Sequence, residues 1–219
     1  MRRMLSPAAT EAMLERLRAQ AREAAEIIRP HVARMDLEDY CCFLNTMYHY
    51  TRHTGAKART ASSNSPPGAL REFFEHMQRE EQGHYRLAEA DLNALGYAVH
   101  PDKPAAVEAF DRYWASIPAT QPEAYLGALV VFENIARHLG PDIAQLLARL
   151  ALPSTQTRWL RVHAQADELH GTQALELAQR YVRQAAQPLL EGAERARQLW
   201  TDIFRSALTD RIALQPLQN

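Results

Sequence analysis

The sequence predicts an all-α protein folded as one domain. Three observations carry that prediction. Apolar residues recur every three or four positions over long segments, which is the period of an amphipathic helix. Glycine and proline fall mostly between those segments. No segment alternates polar and apolar residues as a half-buried strand does, and there is no internal repeat. The 219 residues suffice for one full hydrophobic core and argue against two domains.

The first helix is expected from Ser6, with Pro7 in its first turn, to Arg29, ahead of Pro30. Leu14, Leu17, Ala21, Ala24 and Ile28 give it one apolar face. Residues 30–35 continue it briefly, and Asp36 caps a second, aromatic-rich helix over 37–54 that carries His49 and His53. The polar stretch 55–68 (G-A-K-A-R-T-A-S-S-N-S-P-P-G) reads as an irregular connection, either a lid or a surface loop. A third helix is expected over 67–95, stopped by Gly96. A fourth spans 105–116, and a fifth spans 122–139 and ends at Gly140–Pro141. A short sixth helix fills 142–150. Ser154 caps a seventh that reaches residue 186. The last helix covers 188–208, and residues 209–219 are expected to fray.

Hydrophobic residues make up 47% and charged residues 23%, as in ordinary soluble globular proteins. A formal net charge of −1 offers no bulk attraction to a polyanion, so no nucleic-acid partner is expected. No apolar run approaches about 18 residues, so neither a membrane span nor a signal peptide is expected. The only cysteines, Cys41 and Cys42, are neighbours, and adjacent cysteines rarely form a good disulfide. A reducing cytoplasm is the expected location.

Chemistry concentrates in R-V-H-A-Q-A-D-E-L-H-G, residues 161–171. His163, Asp167 and His170 stand at i, i+4 and i+7, so they share one helix face. A core-facing stripe is normally apolar, and two imidazoles with a carboxylate are a ligand set that first-row metals prefer. On the third helix, E-E-Q-G-H (residues 80–84) places Glu81 and His84 at i, i+3. On the fifth, Glu133 follows the apolar run 128–132. Three carboxylates and three imidazoles suit a non-haem iron or manganese pair that carboxylates can bridge, and the absence of thiolates argues against structural zinc. Gly83 and Gly171 sit beside proposed ligands and suggest close approach of another helix or of substrate. Each motif also has a structural reading. E-x-x-H fits a surface Glu beside a satisfied His, H-x3-D-x2-H fits an exposed polar face, and Glu133 has Arg137 four residues on. Tyr48, His49 and His53 are first of all core or pocket residues, with a substrate pocket as their second reading, and His76, His100 and His138 are unassigned.

Y-H-Y-T-R-H-T (residues 48–54), E-E-Q-G-H with D-L-N-A-L-G downstream (residues 91–96), and the H-x3-D-x2-H together resemble the haem-oxygenase-like diiron oxidases and oxygenases. The likeness runs in order over residues 40–181. It implies a haem-oxygenase-like seven-helix bundle with two Fe(II) ions buried between core helices and O2 as co-substrate. Known activities of that family are N-oxygenation of amines and amino acids, oxidative C–C cleavage and decarboxylation, often in natural-product biosynthesis. By position, the ligands implied are Glu81, His84, Glu133, His163, Asp167 and His170. Glu81 or Glu133 is expected to bridge the ions or shift on oxidation. Family members differ in where the first carboxylate sits, so Glu80 stands beside Glu81 as a candidate, and the second iron is the weaker one. Arg52, Lys57 and Arg59 are candidates for a substrate carboxylate. The expected partner is a small-molecule substrate, and a homodimer is the expected assembly to test. The competing readings are a haem oxygenase using His31, a metal-free thiaminase-like or quinone-cofactor-synthesis-like enzyme, and a non-enzymatic helical protein.

Overall fold

The computed structural model describes residues 6–210 and 213–217, apart from the side chains of residues 165–168. Helix α1 (Pro7–Arg34) opens at Ser6, whose hydroxyl accepts from the Ala9 N–H at 3.2 Å. It does not stop before Pro30. Val32 and Met35 extend the buried face beyond it, and the Arg149 guanidinium donates to the carbonyls of Val32 (2.9 Å) and Met35 (3.1 Å) at the helix end. Helix α2 (Leu37–Thr51) begins with a reciprocal capping box between Asp36 and Asp39.

The stretch expected to be irregular over 55–68 is mostly helix α3 (Thr54–Asn64). Its buried residues are Lys57, Ala58, Ala61 and Ser62, which show no apolar stripe in the sequence, and packing against α4 supplies what propensity does not. The single third helix expected over 67–95 is two, α4 (Ala69–Glu81) and α5 (Tyr85–Ala94). Gly83, at φ +98°, makes the break. A Cβ added there would meet nothing within 4 Å, so Gly83 is a turn residue and not a point of close approach.

Helices α6 (Ala105–Tyr113) and α7 (Ile117–Thr120) lead to α8 (Pro122–Leu150), which runs straight through Gly140–Pro141. Ile135, Leu139, Ile143 and Leu146 keep one face buried across the proline, and that burial outweighs one missing backbone hydrogen bond. Ser154 opens a short 3-10 turn (Ser154–Gln156) and does not cap the next helix, α9 (Arg158–Thr209). Helix α9 bends at Ala185 (φ −133°, ψ 32°), just before Pro188, where the sequence expects two helices to meet. Helices α8 and α9 form the central pair, with α1 against both, while α2 packs on α5 and α3 on α4. Residues 209–219, expected to fray, include a docked segment. Ala98 donates to the Gln215 carbonyl at 3.0 Å, and Leu217 donates to the Gly96 carbonyl at 2.8 Å. Among the described residues, no helix is long and apolar enough to cross a membrane.

The N-terminus of α9 is capped across the fold. Asp91 of α5 is fully buried, and its Oδ2 accepts the Trp159 N–H at 2.8 Å. This gives a physical role to the aspartate of D-L-N-A-L-G, because the helix it caps carries His163. Burial raises the Asp91 carboxyl above the usual range, against the pull of the backbone N–H groups of Trp159 and Arg158. Asp91→Ala is expected to cost about 2 kcal/mol, as the loss of a cap and the burial of an unpaired N–H. Asp91→Asn, which keeps an acceptor, should cost less. The urea midpoint of unfolding reads both.

Candidate metal centre

Glu81 ends α4, His84 follows the Gly83 turn, Glu133 lies mid-α8, and His163 and His170 lie on α9. Glu81 and His84 are thus brought together across a helix break, not along one helical face as their spacing suggests. The five side chains make two overlapping triads. Glu81, His84 and His163 form one; Glu81, Glu133 and His170 form the other; within each, the ligand atoms all lie within 4.8 Å of one another. Glu81 is the shared corner. Glu80, its neighbour, is exposed, whereas Glu81 is only 9% exposed, so the helix turns the second carboxylate inward. Asp167 lies outside the residues whose side chains are described.

The imidazoles are arranged as ligands are. His163 Nδ1 lies 2.8 Å from the Trp159 carbonyl, which can only accept, so Nδ1 carries the proton and Nε2 the lone pair. That Nε2 is buried and without a partner. His84 Nδ1 and His170 Nδ1 are also buried without a hydrogen bond, although Glu81 Oε2 lies 3.3 Å from the first and Glu133 Oε2 lies 3.4 Å from the second. The pairs are close but out of line for donation. Nitrogen and oxygen atoms about 2.1 Å from one ion and at right angles would sit about 3 Å apart, unaligned with each other. Buried orphan nitrogens facing carboxylates therefore fit a metal better than a hydrogen-bond network.

The charges agree. Burial holds His163 neutral, with its pKa lowered to about 4. Burial would also lower His84, but the Glu81 carboxylate beside it prevails, with help from Glu133, and His84 is raised. Contact with Glu133 raises His170 against burial. Burial, reinforced by Glu81, raises Glu133, while Glu81 is lowered because the three imidazoles outweigh its desolvation. Without metal, protons balance the carboxylates. Divalent cations would displace those protons.

Other groups that the sequence reading did not single out complete the site. Tyr125 is buried, and burial followed by the fields of Glu81 and Glu133 raises its pKa, so its hydroxyl keeps its proton. Trp159 stacks on His163 with ring centroids 4.0 Å apart and 21° between planes. Thr54 Oγ1 lies 3.3 Å from Glu81 Oε2. His76, unassigned from the sequence, packs edge-on to His170 at 5.9 Å. None of these stands in a ligand-like spacing. Only the neighbouring Glu and His residues mark them, after folding.

A cavity opens beside the cluster, walled by Phe110, Phe132, Trp159 and Trp200 and touched by Glu81, Glu133, His163 and Tyr125. Of the substrate-contact candidates, Lys57 alone reaches it. Lys57 is 9% exposed, and its Nζ donates to Asp111 Oδ1 at 2.6 Å, while Lys103 donates to Oδ2 at 2.6 Å. The chain's two lysines thus clasp one aspartate. His53 joins them in a separate surface pocket. Arg52 and Arg59 line an outer cleft with Arg79 and Arg86, whose wall includes Glu81. His49 Nε2 is engaged with the His100 carbonyl at 2.9 Å, and Tyr48 packs edge-on to Tyr85 at 5.6 Å. His31 packs near Phe204 at 6.4 Å and is in neither triad.

The chain matches the family model for iron-containing redox enzymes over residues 41–201. Among solved structures, it is similar to a domain of unknown function with a haem-oxygenase-like fold from Shewanella denitrificans (TM-score 0.78, 19% identity, covering 95% of this chain and 94% of that one). It is also similar to a TenA homologue from Pseudomonas syringae (0.68, 13%, 94% and 98%). A third is a CADD-like protein of unknown function from Nostoc punctiforme (0.61, 15%, 94% and 99%). At these identities the likeness concerns the fold. No curated protein matches the chain. The helical architecture is haem-oxygenase-like, and the family match spans most of the chain, including every residue of the cluster: this protein belongs to the iron-containing redox enzymes.

Proposed function

We propose that the protein is an O2-dependent non-haem diiron oxidoreductase acting on a small molecule. The observation that carries this reading is the pair of triads that share Glu81 and face three partnerless imidazole nitrogens. Glu81, His84 and His163 would hold one ion, and Glu81, Glu133 and His170 the other. Asp167, four residues beyond His163, is kept as the sixth ligand on its spacing. When bound, two Fe(II) ions supply electrons to O2 and so an oxidant for the substrate. The chain's own part is positional. The Trp159 carbonyl fixes the His163 tautomer. The aromatic walls keep water from the reacting atoms. The Tyr125 hydroxyl, kept protonated by burial and the fields of both glutamates, lines the cavity as a proton-bearing group. Lys57 reaches the cavity with its Nζ paired to Asp111, which Lys103 also holds; two lysines against one aspartate leave one net positive charge at that end, which favours a substrate with an anionic group, such as an amino acid. Amine or amino-acid N-oxygenation and oxidative C–C cleavage in a biosynthetic pathway are the reactions proposed.

Iron analysis of anaerobically loaded protein tests the reading. Two irons per chain are expected, with reduced iron in His163→Ala and Glu133→Ala and retained folding by circular dichroism. Absence of bound iron, or wild-type iron in both variants, would overturn it. Oxygen consumption over an amino-acid and fatty-acid panel then seeks the substrate.

A further inference from the structure

Successive helices bring four arginines to the outer cleft. Arg52 follows the end of α2, Arg59 lies on α3, Arg79 in the last turn of α4 and Arg86 in the first turn of α5. Glu81 lines both this cleft and the aromatic cavity, so the two meet at the shared corner of the triads.

The charges of the cleft are not balanced within the fold. Elsewhere exposed arginines find carboxylates: Arg16 pairs with Glu194, Arg18 with Glu11 and Arg112 with Glu108. Among the described residues, none of the four cleft arginines makes an ion pair. Glu80 and Glu89 are near in sequence, but neither lines the cleft. Glu81 is the only acid in its wall, and the imidazoles take up that charge. Arg52 lies over the Tyr48 ring at 5.8 Å and Arg86 over the Tyr85 ring at 5.7 Å, and Arg86 Nε donates to the Tyr85 hydroxyl at 3.3 Å. A guanidinium stacked on a ring keeps its terminal N–H groups for an oxyanion. The starts of α3 and α5 also border the cleft, through Gly55, Ala56, Tyr85 and Arg86, and neither has a side-chain cap or an acidic residue in its first turn. Their partial positive charge has the same sign as the arginines.

Size selects the kind of anion. The cleft has a volume of about 460 Å³, against about 60 Å³ for the aromatic cavity. Pockets for organic ligands run to about 300–1,000 Å³. The cleft is therefore large enough for a metabolite, whereas the aromatic cavity admits only its reacting end. A concavity of this size suits a small molecule better than the face of a folded partner.

We propose that this cleft binds a small organic dianion, a phosphate ester or a dicarboxylate, through Arg52, Arg59, Arg79 and Arg86, and so holds the charged end of the substrate beside Glu81. The proposal rests on the metal reading for what happens to the other end of the substrate, but binding of the anion needs no iron. It narrows the substrate class. One net positive charge near Lys57 matches a single carboxylate, whereas four guanidiniums match a group with two negative charges.

Calorimetric titration of the full chain, metal-free and iron-loaded, tests the proposal with glycerol 3-phosphate, succinate and acetate as probes. One saturable site per chain is expected for at least one of the dianions, weakened by salt, with acetate binding less tightly. The tighter dianion tells a phosphate ester from a dicarboxylate. Arg59→Ala and Arg79→Ala stand on different helices, so one covers the other should either fail to fold. Each should weaken binding about tenfold, the low end for a hydrogen bond to a charged group. Arg183→Ala, an exposed arginine of α9 outside the cleft, should bind as the wild type does. No saturable binding of either dianion, unchanged binding in both cleft variants, or acetate binding as tight as theirs overturns the proposal. So does a poly-glutamate peptide that binds more tightly than both dianions through the same arginines, which would make the cleft part of a docking face for an acidic protein. Iron content separates the two readings. A protein that holds iron but binds no dianion loses the cleft assignment alone. One that binds a dianion but holds no iron keeps the anion site and loses the metal reading.

Discussion

Glu81→Ala is expected to abolish iron binding at both positions, whereas Glu133→Ala is expected to lose one ion and keep the other. The asymmetry follows from geometry. Glu81 belongs to both triads, and its removal leaves His84 with His163 on one side and Glu133 with His170 on the other. Even the outer partners of metal ligands are worth about 10–100-fold in affinity, so loss of a shared ligand should exceed about 100-fold at each position. Glu80→Ala should bind as the wild type does, because Glu80 is exposed. Metal analysis after anaerobic loading and desalting reads all three. A Glu81→Ala protein holding two irons, or a Glu80→Ala protein holding none, would show the shared-corner arrangement to be wrong.

Gly171→Ala is expected to destabilise the protein by about 3 kcal/mol, near the upper end for overpacking a tight contact. In a chain of this size that is a fall of about 10 °C in Tm. A Cβ on Gly171 would stand 2.5 Å from the Glu133 carbonyl oxygen and 2.6 Å from Asn134 Oδ1. The Asn134 side chain has room to turn only by giving up its Nδ2 bonds to the Val130 (2.8 Å) and Gly171 (3.1 Å) carbonyls. The Glu133 carbonyl cannot turn, since it is backbone of a central helix. Helices α8 and α9 must therefore separate, and they separate where His170 faces Glu133. Iron content should fall together with the melting temperature of the metal-free protein. A Gly171→Ala variant with unchanged stability would mean that the two helices are not so closely apposed.

Gly83 and Gly171, each beside a proposed ligand, look alike in the sequence, as points of close approach, and they part ways in the fold. Gly171 is such a point, with Glu133 as the neighbour. Gly83 is a left-handed turn with open space where a side chain would stand. Spacing alone cannot tell these apart, because a Gly is tolerated for either reason. The same limit explains α3. Its buried residues are small or polar and give no periodic signal, so only its packing on α4 makes it a helix. Proline misleads in the opposite direction. Pro30 and Pro141 predict helix ends, yet a continuous buried face carries α1 and α8 through both.

By itself the sequence determined the helical class, the family resemblance and the ionisable residues that lie where apolar ones are expected. Those follow from local periodicity and from residue type, which need no partner to be read. Only the tertiary structure decided that Glu81 and not Glu80 turns inward, that Glu81 belongs to two clusters at once, and that Asp91 caps the helix bearing His163. It alone set a largely apolar cavity against that histidine. The reason is physical. A shared ligand, a cap from another helix and a cavity are relations between segments dozens of residues apart, and they exist only once packing has brought those segments together.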